Sequence, residues 1–234
     1  MRVLLFGATG MVGRGVLLEC LDDPAVDDVL VIGRRPCGLA HAKLREQLQS
    51  DFQDFSTLGG QLQGVDACLF CLGVSAAGLS EAEYTRLTLD LTLAAARAVL
   101  EQSPRAAFCY VSGQGTDSTE RGRLMWARIK GRTENALLGM PFRGVWIFRP
   151  GLIQPLRGVR SRTRLYQAFY SGLGWSLPLL RRCFPRQITS TVDLARAMLR
   201  AAREGAPESV LETWRINELA RAESARRNDG KQGA

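Results

Sequence analysis

Apolar and polar residues alternate along this chain with two different periods. Short apolar runs at residues 3–6, 29–32, 67–71, 106–112 and 145–148 have the length and the aliphatic and aromatic content of buried strands. Residues 43–47 form a weaker third strand candidate between the second and fourth. Between these runs lie helical stretches at residues 11–21, 81–101 and 123–138, the middle one free of proline and glycine. The first helix is predicted to stop at Asp22, Asp23 and Pro24, because the residue before a proline is pushed out of the helical region. Strands buried on both faces and separated by helices imply a parallel, doubly wound α/β sheet.

After Arg149, Pro150 and Gly151 the alternation ceases. Pro155, Gly158, Gly172, Gly174 and Pro178 divide the chain into short pieces, and residues 152–190 are expected to form a small, partly helical C-terminal lobe on the substrate side. Residues 191–204 return to a helical pattern. Residues 1–212 then make one domain, and 213–234 is a polar tail whose end, Asn228 to Ala234, is expected to be loose. A length of 234 residues suits one domain with a full core, and 46% hydrophobic with 23% charged residues marks an ordinary globular protein. The opening residues Met1 to Phe6 run straight into glycines without an export-signal pattern, so the expected address is cytoplasmic.

Several chemistries are disfavoured by what the chain lacks. His41 is the single histidine, which removes most zinc sites and Ser-His-Asp triads. Cys68 and Cys71 are three apart in a strand and point to opposite faces, so no shared metal or easy disulfide is expected. The net charge is +8, yet its distribution matters more. No acidic residue lies between Glu134 and Asp193, while nine arginines do: Arg143, Arg149, Arg157, Arg160, Arg162, Arg164, Arg181, Arg182 and Arg186. A region of one sign attracts phosphates, acidic ligands or an anionic membrane. Residues 157–186 could form a hydrophobic wall of the substrate site, or touch an anionic membrane through Phe169, Tyr170, Trp175 and Leu177. Their apolar middle, 165–180, is too short and interrupted to span a bilayer. Nucleic-acid binding is disfavoured, since no recognised motif accompanies the charge.

The sharpest motif is Gly7, Ala8, Thr9, Gly10, Met11, Val12, Gly13, placed directly after a strand and opening a helix. The first glycine permits the tight turn, the second admits a pyrophosphate to the backbone amides, and the third lets helix and sheet approach. This is the dinucleotide loop of a Rossmann-type fold. After the second strand, where an acid would take the ribose 2'-hydroxyl of NAD, the chain has Arg34 and Arg35, whose guanidinium groups suit a 2'-phosphate. The expected cofactor is NADP(H).

Together these residues resemble the short-chain dehydrogenase/reductase superfamily, in its atypical NAD(P)H-binding branch. The branch includes the Tat-interacting-protein-like reductases and bacterial nucleoside-diphosphate-sugar epimerase-like proteins. The resemblance runs from residue 1 to about 155 and weakens through 204. It implies that Gly7, Thr9, Gly10, Met11, Val12 and Gly13 hold the diphosphate and that Asp51 and Phe52 bracket the adenine. Cys71, Leu72 and Gly73 would lie along the cofactor, and Arg149, Pro150 and Gly151 would pass the nicotinamide. Ser112 would hydrogen-bond a substrate carbonyl, and Lys130 would hold the nicotinamide ribose. With three lysines among 31 basic residues, Lys130 also stands out on composition alone.

Trp126 departs from the pattern. It stands four residues before Lys130, where ordinary members carry the tyrosine that exchanges the substrate proton, and an indole does not ionise usefully. Three outcomes follow. Trp126 packs over the pocket while Tyr84, Tyr110, Tyr166, Tyr170 or a water supplies the proton; or Ser112 and the indole N–H polarise a carbonyl; or the chemistry is lost. The favoured expectation is an oxidoreductase on a small hydrophobic carbonyl or alcohol. The alternatives are a non-catalytic NADPH-dependent sensor or regulator and a nucleotide-sugar epimerase-like enzyme.

Overall fold

The computed structural model describes residues 1–159 and 184–232, with side chains described as far as residue 224. Strands β1 (Arg2–Phe6), β2 (Asp28–Gly33), β3 (Leu44–Leu48), β4 (Ala67–Phe70), β5 (Ala107–Val111) and β6 (Gly144–Arg149) alternate with helices. The helices are α1 (Met11–Asp22), α2 (Glu81–Thr85), α3 (Leu91–Gln102) and α4 (Met125–Leu138). Beyond β6 come β7 (Leu152–Gln154), β8 (Ile188–Ser190), α5 (Thr191–Glu204), β9 (Val210–Glu212) and α6 (Thr213–Gln232). The main sheet has the order β3-β2-β1-β4-β5-β6-β9, with every neighbouring pair parallel. The order reverses beside β1, which is where an open α/β sheet leaves its ligand crevice.

Side chains of each central strand divide between two cores. Val3, Leu5, Leu69, Cys109 and Phe148 face α1 and α5, while Leu4, Phe6, Cys68, Phe70 and Tyr110 face the other layer. Cys68 and Cys71 fall on opposite sides, as their spacing requires, and five of the cysteines are free thiols. On the second face Phe6, Phe52, Phe55 and Phe70 form an aromatic cluster with centroids 5.2–6.1 Å apart, edge-on except for the tilted Phe6–Phe70 pair. That cluster anchors the loop after β3, because Phe52 is both a core residue and a loop residue.

Three departures from the expected pattern have physical causes. The helix of residues 81–101 is broken in phase by a π turn at Arg86–Asp90. The polar tail from residue 213 is instead helix α6, with Ile216, Ala220 and Glu223 buried. Those three form one face at spacings of four and three; Glu223 is tolerated there because Arg203 donates to it at 2.5 Å. The small β7-β8 sheet and the edge strand β9 are three residues each, too short to register as a pattern. Residues 160–183 lie outside the described part, and with them Tyr166, Tyr170, Phe169, Trp175, Leu177 and most arginines of the basic lobe. Among the described residues no helix is long and apolar enough to cross a membrane and no acidic, histidine or cysteine cluster could hold a metal.

Candidate functional site

The glycine loop lies between the end of β1 and the start of α1, against the end of β4. Gly7 adopts φ +86°, and a Cβ there would stand 2.7 Å from the Cys71 carbonyl carbon and oxygen. At Gly13 a Cβ would meet the Gly7 carbonyl oxygen at 2.1 Å, so both glycines are required for this closeness. Gly10 caps α1 without a side-chain hydrogen bond, and the first turn carries no acid. Thr9, Met11 and Val12 are half-buried around this end. A helix N-terminus with uncapped amides and a side-chain-free approach fits a dinucleotide diphosphate.

The loop itself borders a hollow of about 420 Å³ with Arg14, Pro36 and Arg157, and a separate cleft of about 450 Å³ at the strand ends is lined by Arg34, Asp51, Phe52, Leu72, Gly73 and Arg86, among others. Its members come from the loops after β2, β3 and β4 and from the π turn. Asp51 is held as a turn by accepting from the Gln53 N–H at 2.8 Å. Arg35 is exposed and does not line the cleft. A larger hollow, about 610 Å³, lies at the opposite ends of the strands among Met1, Asp66, Arg105 and Arg143, away from every residue of the motif.

At the other end of the crevice, β5, β6 and α4 converge. The Ser112 hydroxyl donates to Glu134, and Thr116 Oγ1 lies 3.1 Å away. Glu134 is itself buried and receives Arg149, whose Nε stands 3.1 Å from each carboxylate oxygen and whose Nη2 completes the pair. Arg149 also donates to Ser118 at 2.5 Å. This network engages the Ser112 hydroxyl, so donating to a carbonyl as expected for it would require the hydroxyl to turn from Glu134. The reason is long-range: Glu134 and Arg149 are 22 and 37 positions away, and neither spacing nor period announces the pairing. The available signal was a lone carboxylate one turn beyond Lys130 on an otherwise basic helix.

Lys130 is half-buried, with its ammonium 5.5 Å from the centroid of the Tyr110 ring. It has no hydrogen-bond or ion-pair partner among the described residues. Burial pushes its pKa down to about 8, and the field of Glu134 works in the opposite direction. Trp126, one turn earlier, packs into a cluster with Tyr84, Leu89 and Ile129, its ring 3.4 Å from a Cβ position at Gly115. Tyr84 and Tyr110 are buried, and burial raises both phenols. They are poor proton donors to a bound substrate. Pro150 is buried beside β5, its carbonyl accepting from the Gln114 N–H at 3.0 Å, and the Gly151 N–H donates to Thr213 at 2.9 Å. Cys71 is half-buried with a thiol that burial pushes up, a packing group rather than a reactive one.

Comparison with known proteins places this arrangement. No family model matches the chain. The mitochondrial protein fmp52 of Aspergillus niger is 30% identical over 178 residues, covering 73% of this chain and 73% of that protein. The chain belongs to the fmp52 family. Rat protein HTATIP2 is 25% identical over 153 residues, covering 64% of this chain and 62% of its own length, which accords with the atypical short-chain dehydrogenase/reductase branch. The Bordetella bronchiseptica enzyme WbmF, solved in complex with NAD+, superposes with a TM-score of 0.65 at 14% identity, covering 96% of this chain and 77% of that one. The fold is that of the short-chain dehydrogenase/reductases. The cytoplasmic expectation is overturned by these names: fmp52 proteins from Emericella nidulans and other Aspergillus species are likewise called mitochondrial.

Proposed function

We propose that this protein is an NADP(H)-dependent oxidoreductase acting on a small, hydrophobic carbonyl or alcohol. The observation that carries the proposal is the Lys130 ammonium, half-buried over the Tyr110 ring and, among the described residues, without a hydrogen-bond or ion-pair partner, although the field of Glu134 reaches it. A desolvated cation left without a protein acceptor is costly unless a ligand supplies the acceptor. Ribose hydroxyls are such acceptors. The amides of the glycine loop would take the diphosphate, Asp51 and Phe52 the adenine, and Arg34 the 2'-phosphate. Pro150 and Gly151 would flank the nicotinamide. When bound, that cofactor supplies or accepts a hydride.

For the chain itself, the open question is the proton. Trp126 fills the place of an ionisable phenol and shapes the site by packing. Ser112 is committed to Glu134, and Tyr84 and Tyr110 are buried. A water admitted beside Lys130 is the donor this geometry favours, with Lys130 holding its charge close enough to polarise it. The committed Ser112 also favours a second reading, a non-catalytic NADPH-dependent sensor. An epimerase-like reaction on a nucleotide sugar has the fold in its favour and lacks the phenol it would need.

The test is NADPH fluorescence titration followed by oxidation across a panel of aldehydes, ketones and quinones. Turnover that Lys130→Ala reduces at least tenfold supports the oxidoreductase. Tight binding with no turnover across the panel favours the sensor.

A further inference from the structure

The adenine-side cleft contains two guanidinium groups from different parts of the chain. Arg34 enters from the loop after β2, and Arg86 enters from the first residue of the π turn. Both are exposed, and neither makes a hydrogen bond or ion pair among the described residues. The carboxylate nearest Arg86 in sequence, Glu83, feels its field but is held by Ser80, whose N–H and hydroxyl donate to it at 2.9 and 2.7 Å. Asp51 is the single carboxylate in the cleft lining, so the lining carries a net positive charge.

The π turn explains how Arg86 comes to be there. Leu91 donates its N–H to the Arg86 carbonyl, the five-residue step of a π helix, which brings positions 86 and 91 to nearly the same side. Both line the cleft, while Tyr84, Thr88 and Leu89 are buried. An uninterrupted α-helix would separate residues five apart by roughly 140° around the axis. The helical insertion therefore aims a cation at the strand ends, and π turns are frequent at functional sites. Arg35, by contrast, stays outside.

We propose that Arg86 is the second guanidinium of the 2'-phosphate site, facing Arg34 across the cleft in the place that its sequence neighbour Arg35 does not fill. The inference rests on the NADP(H) reading above and deepens it by naming a specificity-determining residue. A phosphate dianion takes charge-assisted hydrogen bonds from two arginines better than from one.

Arg86 is exposed, so its replacement leaves the fold intact, which an unchanged melting temperature checks. The probes are NADPH, NADH, 2',5'-ADP and ADP, titrated against wild type, Arg86→Ala and Arg35→Ala. Arg86→Ala is expected to weaken NADPH and 2',5'-ADP by roughly 10- to 100-fold, the range for a hydrogen bond to a charged group, with NADH and ADP within about threefold. Arg35→Ala is expected to change the NADPH to NADH ratio by less than about threefold, as befits a group outside the site. An Arg86→Ala protein that keeps the wild-type ratio overturns the assignment. A parallel loss of NADH and ADP also overturns it, because the guanidinium then acts on the adenine and not on the phosphate. Equal wild-type affinities for NADPH and NADH would instead bring down the NADP(H) reading itself, and the inference with it.

Discussion

The adenine end and the nicotinamide end of the crevice handle their polar groups in opposite ways. At the proposed adenine end Arg34 and Arg86 stand exposed without partners among the described residues, and the α1 N-terminus lacks a side-chain cap. At the proposed nicotinamide end Ser112, Glu134 and Arg149 satisfy one another, while Lys130 is half-buried without a hydrogen-bond or ion-pair partner among the described residues. One end leaves its cations open to solvent, whereas the other is largely closed on itself. The contrast is one of side-chain pairing, with polar groups left open at one end of the crevice and bound to one another at the other.

The largest expected effect on binding comes from filling the loop. Gly13→Ala would place a methyl 2.1 Å from the Gly7 carbonyl oxygen, a contact with backbone that cannot rotate away. NADPH affinity is expected to fall by at least about 100-fold, equivalent to about 2.7 kcal/mol, in a fluorescence titration. Breaking the closed end should act on stability first. Glu134→Ala leaves Arg149 with its main partner gone, and the expected loss is about 3–5 kcal/mol by urea denaturation. Ser112→Ala removes one hydroxyl from the same network and is expected to cost about 1–3 kcal/mol. A double-mutant cycle between the two positions should show coupling, because both changes remove the same hydrogen bond. Strict additivity would contradict the network.

Trp126→Tyr sharpens the comparison by returning a phenol to the turn before Lys130. Turnover on any active panel substrate is expected to rise by about tenfold or more, within the usual contribution of a positioned acid, with the NADPH Kd unchanged. A further effect concerns pH. The folded pKa of Lys130, about 8, lies below the ordinary lysine value of 10.5. Below pH 8 the ammonium is charged in both states and its burial opposes folding in full. As pH rises from about 8 toward 10.5 the unfolded chain binds more protons than the folded one, so this penalty is relieved. Lys130→Met should therefore exceed wild type in urea midpoint at pH 7, with the difference shrinking by pH 10. The three lysines of the chain make the titration itself resolvable by side-chain NMR.

Local signals made the cofactor half of the fold legible in sequence. The apolar run of β1, the three glycines and the helix that follows are contiguous, and their chemistry depends on residues within a few positions of one another. The π turn was not legible, because residues 81–101 satisfy an α-helical pattern and the phase shift expresses a preference of the surrounding packing. Helix α6 was hidden by its polar composition, in which Glu223 counts as exposed until Arg203 is known to meet it. Ser112 was read by its position at the end of a strand, which the structure keeps. Its side-chain direction depends on Glu134 and Arg149, brought close only by the assembled sheet.

The most direct measurement is a crystal structure of the NADP+ complex. The account predicts the 2'-phosphate between Arg34 and Arg86, the nicotinamide ribose on Lys130, and the Ser112 hydroxyl still donating to Glu134. A complex with the 2'-phosphate away from both arginines, or with Ser112 turned from Glu134 toward the nicotinamide, would contradict it.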